Sequence, residues 1–215
     1  GSTDKTLELA QKYPVVIEHY DYKSHCDTYN DITTRPGSSE CIILDADMEI
    51  SSELSRQIAQ GLQKAEVVVA HVSMYLEGKP LRRGSLYPPK PIGFRRGKSY
   101  FEPVGHGESL KTGLALVVVK ERLRHNDLKP YSDYLSTQLR YTDKLKSRMG
   151  EGHSNFRDII RCKTPFLIFL SPLYSLVVKL GILNRLGWLY ALDRLISEAI
   201  MFRLCLSEKI RDKDS

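Results

Sequence analysis

The segment CIILDADMEISSEL constrains the fold of this chain more than any other. Residues 41–44 are an uninterrupted apolar run that stops abruptly at Asp45-Ala46-Asp47. An all-apolar strand has no solvent face, so the run predicts a strand buried on both sides, as in a parallel sheet. Ser51 then predicts the cap of a helix to about Lys64, with Leu54, Ile58 and Leu62 along one face. Residues 67–72 predict the next strand, and Pro14 to Glu18 an earlier one behind a short helix over 3–12. Residues 24–35 are polar and ambiguous, with helix as one reading. The order αβαβαβ indicates an α/β sheet with helical crossovers. Beyond it, residues 78–98 read as a long loop with a short strand near Ile92, and residues 114–119 as a strand. Residues 130–149 read as an amphipathic helix with Tyr131, Tyr134, Leu135, Leu139, Tyr141, Thr142 and Leu145 near one stripe.

Composition excludes several classes. Hydrophobic residues make up 41% and charged residues 27% of 215, an ordinary globular balance that leaves no room for a disordered or fibrous reading. The four cysteines, at 26, 41, 162 and 205, form no C-x-x-C pair. They support neither a zinc ribbon nor a disulfide scaffold, and a reduced, intracellular protein is expected. The net charge of +6 is unevenly placed. Residues 1–78 hold 6 basic and 13 acidic side chains, residues 79–98 hold 7 basic and none acidic, and residues 99–215 hold 19 and 13. An acidic front half and the lack of basic-aromatic alternation argue against nucleic acid. The basic segment suits an anionic ligand or membrane surface, with a solvated loop as the plain alternative.

Residues 164–178 carry no charge, but 15 residues interrupted by Pro165 and Pro172 fall short of the roughly 20 that a spanning helix needs. With Tyr174, Trp188 and Tyr190 and nearby Lys and Arg, residues 151–215 read as a helical extension lying on a membrane surface. Packing on the domain or a homodimer contact is the alternative. The chain divides into 1–125, 126–150 and 151–215.

Three groups carry candidate chemistry. Asp45 and Asp47, where a strand gives way to a loop, can hold Mg²⁺ or Mn²⁺ that bridges a diphosphate. Alternatively, Asp47 and Glu49 merely favour the nearby helix N-terminus. His106 and Glu108, in a glycine-bracketed turn, can each take a proton from a hydroxyl. Arg82, Arg83, Arg95 and Arg96 offer fork-shaped donors to phosphate.

GSTDKTLELAQKY followed by CIILDADMEISSEL resembles the family 2 glycosyltransferases of the GT-A fold, in which a G-S-T-D-x-T motif opens a helix and an apolar strand ends in D-x-D. RRGSLYPPKPIGFRRGKSYFEPVGHGESL is similar to the middle of the bacterial lipopolysaccharide-core and cell-wall subgroup. RLRHNDLKPYSDYLSTQLRYTDKLKSR is similar to its next segment, a strand ending in His before a Tyr-rich helix. The resemblance implies a GT-A (Rossmann-like) mixed sheet and an inverting, metal-dependent transferase. It would move a sugar from a nucleotide-sugar donor to a cell-envelope glycolipid or polysaccharide on the inner face of the cytoplasmic membrane. It implies that Asp47, with Asp45, contacts metal and diphosphate, and that Glu108 beside His106 is the base. Asp4 would lie near the nucleotide and Tyr87 near sugar or acceptor. Arg95 and Arg96, in the basic segment, are candidates for the nucleotide-sugar diphosphate, with an acceptor-binding or membrane-facing patch as the alternative. Three departures stand out. Gly107 separates His106 from Glu108, Leu86 replaces the Trp before Tyr-Pro, and, if the resemblance holds, about 30 to 45 residues of the first βαβ unit would be missing ahead of Gly1. The alternative is a truncated, non-catalytic GT-A domain that binds a membrane or a partner.

Overall fold

A computed structural model describes residues 5–18, 20–37, 39–98, 100–104, 107–111, 113, 115–126, 131–150 and 156–211. The helices are α1 (Thr6–Ala10), α2 (His25–Thr34), α3 (Ser52–Leu62), α4 (Tyr131–Gly150), α5 (Phe156–Lys163), α6 (Phe166–Val177) and α7 (Arg185–Arg211), with a 3-10 turn at Gly181–Leu183 before α7. The strands are β1 (Glu40–Ile42), β2 (Met48–Glu49), β3 (Val67–Ala70), β4 (Val72–Leu76), β5 (Lys79–Pro80), β6 (Lys90–Arg95), β7 (Tyr100–Val104), β8 (Gly107–Lys111), β9 (Leu116–Val118) and β10 (Leu123–Asn126). This is a mixed α/β protein with two mixed four-stranded sheets, a β7–β8 hairpin and C-terminal helices.

The first sheet runs β1-β6-β3-β9, with β6 antiparallel to both β1 and β3, and β3 parallel to β9. α3 forms where expected. Ser51 Oγ accepts the Leu54 N–H at 3.0 Å, and Leu54, Ile58 and Leu62 are fully buried against Val68, Ile92 and Leu123. α2 covers the opposite face, where Cys26 and Tyr29 pack on Val67, Phe94 and Phe101. Its N-cap, Ser24, accepts the Asp27 N–H at 3.0 Å. The register shift at Val68/Val69 leaves Ile92 as the extra residue of β6. This bulge lets Ile92 join the α3 side while Phe94 faces α2.

Several sequence expectations change. The 41–44 run is not a strand buried on both faces. β1 lies at the sheet edge, antiparallel to β6 alone, and Ile42 and Leu44 are exposed while Ile43 is buried. Burial comes from one neighbour and α2, not from flanking parallel strands. Residues 14–18 form no ladder with the described residues, and Val16 is 87% exposed. The 67–72 strand is two strands: the chain breaks at His71, and β4 enters a second sheet, β2-β10-β4-β5. There β10 runs parallel to β4 and antiparallel to β2. On α4, Tyr134 docks on α7, donating to Asp193 O (3.0 Å) and lying 2.8 Å from Ser197 Oγ, but Leu139 is exposed. The end of its expected stripe, from Thr142, falls outside the described side chains.

The C-terminal helices are tied together by a buried ion cluster. Glu198 of α7, 1% exposed, accepts Arg161 Nε (2.7 Å) and Nη2 (3.1 Å) from α5 and Arg194 Nη2 (2.7 Å) from the preceding turn of α7. Arg194 Nε also reaches Ser171 Oγ of α6 at 3.3 Å. Next to this cluster, Cys162 and Cys205 form a disulfide with Cα atoms 5.1 Å apart. This corrects the expectation of four thiols. The packing of α5 on α7 pairs two cysteines 43 residues apart, which spacing alone cannot reveal. Among the described residues, no helix is long and apolar enough to cross a membrane.

Glu198→Gln keeps the shape but leaves the buried Arg161 and the partly buried Arg194 guanidinium groups without their carboxylate. It is expected to cost about 3–5 kcal/mol in urea unfolding; an unchanged midpoint would contradict the cluster. Asp193 on α7 has its carboxyl pushed up to about 6, by burial first and by Glu77 second. Between its ordinary 3.8 and about 6 the folded state therefore binds more protons than the unfolded chain, and stability falls as pH rises. Asp193→Asn is expected to flatten that slope and add about 1 kcal/mol at pH 8, a value discounted for its partial exposure.

Candidate functional site

The D-A-D segment is the strap between the two sheets. β1 ends in the first sheet, residues 43–47 cross over, and β2 begins in the second. Ile43 N donates to Ile92 O (3.0 Å) and Met48 N to Asp45 O (3.0 Å), which fixes the start and turn of the strap.

Asp45 is held on the side facing α2. Its carboxylate accepts from Tyr29 Oη at 2.6 Å and from Lys90 Nζ at 2.5 Å. Lys90 opens β6, and its side chain is only 12% exposed. Burial alone would raise the Asp45 carboxyl, but the Lys90 and Tyr29 hydrogen bonds outweigh it and hold the group below the ordinary carboxylate range. His25 adds a smaller attraction.

Asp47 turns to the second sheet. Its Oδ2 lies 3.3 Å from His125 Nε2, and its carbonyl accepts Asn126 N–H at 2.9 Å. His125 and Asn126 stand at the carboxyl end of β10, opposite Met74 and Tyr75 of the parallel strand β4. Carboxyl ends of parallel strands are where open α/β sheets take ligands. His125 Nδ1 rests 3.4 Å from Met74 Sδ, so Nε2 is the nitrogen aimed at Asp47. The Tyr87 ring lies 5.1 Å from the His125 ring at 49°. Asn126 Oδ1 is buried without a hydrogen bond. A carboxylate and an imidazole fit a borderline divalent cation such as Mn²⁺ or Mg²⁺. Among the described residues no trio of His, Cys, Asp or Glu converges here. Such an ion would therefore need oxygens from its ligand and water, as Mg²⁺ commonly does.

The structure thus brings Asp47 and Tyr87 together and sets Asp45 beside them with other partners. It does not bring Arg95 or Arg96 to Asp47. Arg95 donates through Nε (2.9 Å) and Nη2 (2.5 Å) to Leu62 O at the end of α3, and Arg96 Nη1 to Ile32 O (2.7 Å) and Arg35 O (2.9 Å) at the end of α2. Both satisfy helix C-terminal carbonyls, and Arg95 is five residues along β6 from Lys90, about 16 Å. Asp4 and His106 lie outside the described residues. Glu108 is placed by its backbone, in β8 opposite Pro103, and its side chain is not described. Sequence reasoning missed Tyr29, Lys90, His125 and Asn126 as site residues. Lys90 entered only as one charge of a basic segment, and the strand-ending His gains a role only from the β4–β10 pairing.

Lys90→Met is expected to lower stability at pH 7 by about 2 kcal/mol, since it leaves a half-buried carboxylate without its ammonium. The deficit should shrink as pH falls through the Asp range, because Asp45 contributes only while ionised. An equal deficit at pH 7 and pH 3 would contradict the pairing. No protein-family model matches the chain, and no curated protein matches it.

Proposed function

We propose that this chain is a GT-A-type glycosyltransferase of the inverting, metal-dependent kind. It takes a nucleotide-sugar donor and transfers to a cell-envelope glycolipid or polysaccharide, working peripherally at a membrane surface. The observation that carries this reading is Asp47 facing His125, with the Tyr87 ring against the imidazole, at the carboxyl end of the β4–β10 pair. In this reading Asp47 and His125, 3.3 Å apart, would hold Mg²⁺ or Mn²⁺, which would supply neutralisation of charge on a departing diphosphate. Tyr87 offers an aromatic face to a sugar ring. Asp45, fixed by Lys90 and Tyr29, orients the strap that delivers Asp47. Glu108, on the β7–β8 hairpin, is the proposed base toward the acceptor hydroxyl. The apolar, basic C-terminal helices suit an acceptor presented at a bilayer.

A second reading is a non-catalytic domain of the same type, acting as a membrane- or partner-binding module. It is favoured by the edge position of β1, which has no strand on its outer side among the described residues. The two readings separate in one assay, with nucleotide sugars, Mn²⁺ and extracted envelope glycolipid. The first predicts labelled product, lost on the order of a thousandfold in Asp47→Asn with the far-UV spectrum intact, a loss of several kcal/mol of charge stabilisation. Undiminished turnover in Asp47→Asn would overturn it. No turnover together with no metal-dependent nucleotide binding would favour the second.

A further inference from the structure

The basic segment 79–98 divides by engagement. Lys90, Arg95 and Arg96 are held by Asp45 and by helix carbonyls. Lys79 and Arg82 are exposed and form no ion pair among the described residues. They line a cleft of about 530 Å³ with Glu77, Asn184 and Arg185, where the β4–β5 hairpin meets the start of α7. Three cations and one carboxylate thus face one cavity, at the end of a 27-residue helix whose first N–H groups favour anions. Asn184 Oδ1 accepts Gly187 N at 2.6 Å, while its Nδ2 is buried with no hydrogen bond. That donor costs free energy until an acceptor arrives.

The cleft is fixed by close backbone packing. Gly84 adopts φ +95°, donates its N–H to Lys179 O (2.9 Å) and accepts Ser175 Oγ (2.6 Å). A Cβ on Gly84 would stand 3.1 Å from Gly181 Cα and 3.5 Å from Gly187 Cα. This approach presses the 79–84 arm against the turn before α7, so Lys79 and Arg82 are set opposite Asn184 and Arg185.

The rim is apolar. Leu186 and Leu189 line the cleft, and Ile182, Leu183 and Trp188 beside it are each at least half exposed. A site for free phosphate needs no such rim, but cations bordered by exposed aliphatic side chains and a Trp match a bilayer interface. We infer that the Lys79–Arg82–Arg185 cleft binds the phosphate headgroup of an anionic membrane lipid while the neighbouring apolar face enters the acyl boundary. This deepens the membrane-facing part of the reading above and does not require sugar transfer.

The test is flotation of the full chain with vesicles of phosphatidylcholine, of phosphatidylcholine doped with phosphatidylglycerol, and of phosphatidylcholine doped to the same charge with a carboxylate-headed lipid. The expected result is strongest binding to phosphatidylglycerol. Partitioning should fall about a hundredfold in Lys79→Gln/Arg82→Gln/Arg185→Gln, about fivefold per cation. Lys64→Gln/Lys98→Gln/Lys120→Gln, matched in charge on the sheet domain, should lose no more than about threefold, as distant charges are screened. Equal losses in the two triple variants, or no preference for phosphatidylglycerol over the carboxylate lipid, would overturn the cleft while leaving membrane association standing. Inorganic phosphate binding lost in the first variant, with its vesicle binding unchanged, would assign the cleft to free phosphate and overturn the lipid assignment. If no vesicle binds, the membrane-facing reading falls with the cleft, and the transfer assay still decides the chemistry independently.

Discussion

The arrangement turns on the Asp45–Lys90 ion pair, closed by Tyr29. The chain has five residues in which to leave one sheet and start another, and a crossover that short has little packing of its own. The pair anchors the strap to the first residue of β6 and to α2 at once. With Asp45 fixed, Ala46 only spaces, and Asp47 arrives at the end of β10 with its carbonyl on Asn126 and its carboxylate on His125. The two aspartates of one short motif therefore do different work. One is a structural anchor held by a cation, and the other faces the candidate site.

The same logic of a fixed point carrying an exposed group recurs in the C-terminal helices. Glu198 gathers Arg161 and Arg194, and Cys162–Cys205 closes the same region covalently. A loop of that length removes about 4 kcal/mol of unfolded-chain entropy in the loop-closure account. Such a rigid unit can leave much of α6 and the start of α7 apolar and exposed without losing its shape. The glycine approach at Gly84 and Gly187 then couples that unit to the 79–84 arm.

The parts legible in the sequence are those set by local rules. α3 follows from the Ser51 cap and the spacing of Leu54, Ile58 and Leu62, and its burial follows from the same pattern. Tyr87 and Asp47 stand out as candidates in the sequence, and the structure sets both against His125. What local rules cannot give is pairing. The 41–44 run has the same letters at a sheet edge covered by α2 as it would have inside a parallel sheet. The break at His71 separates strands that read as one. Arg95 and Arg96 look like phosphate forks until α2 and α3 are seen to end beside them. Cys162 and Cys205 meet only because α5 packs on α7. His125 needed the parallel pairing of β10 with β4 before it had a neighbour.

The central claim is that Asp47 and His125 together hold a divalent cation that carries a nucleoside diphosphate. Electron paramagnetic resonance of bound Mn²⁺, read for imidazole nitrogen coupling with and without uridine diphosphate, tests it most directly. The account predicts a bound Mn²⁺ signal coupled to one imidazole, tightened by the diphosphate and stripped of that coupling in His125→Gln. Mn²⁺ that remains fully hydrated with the diphosphate present, or an identical nitrogen coupling in His125→Gln, would contradict it.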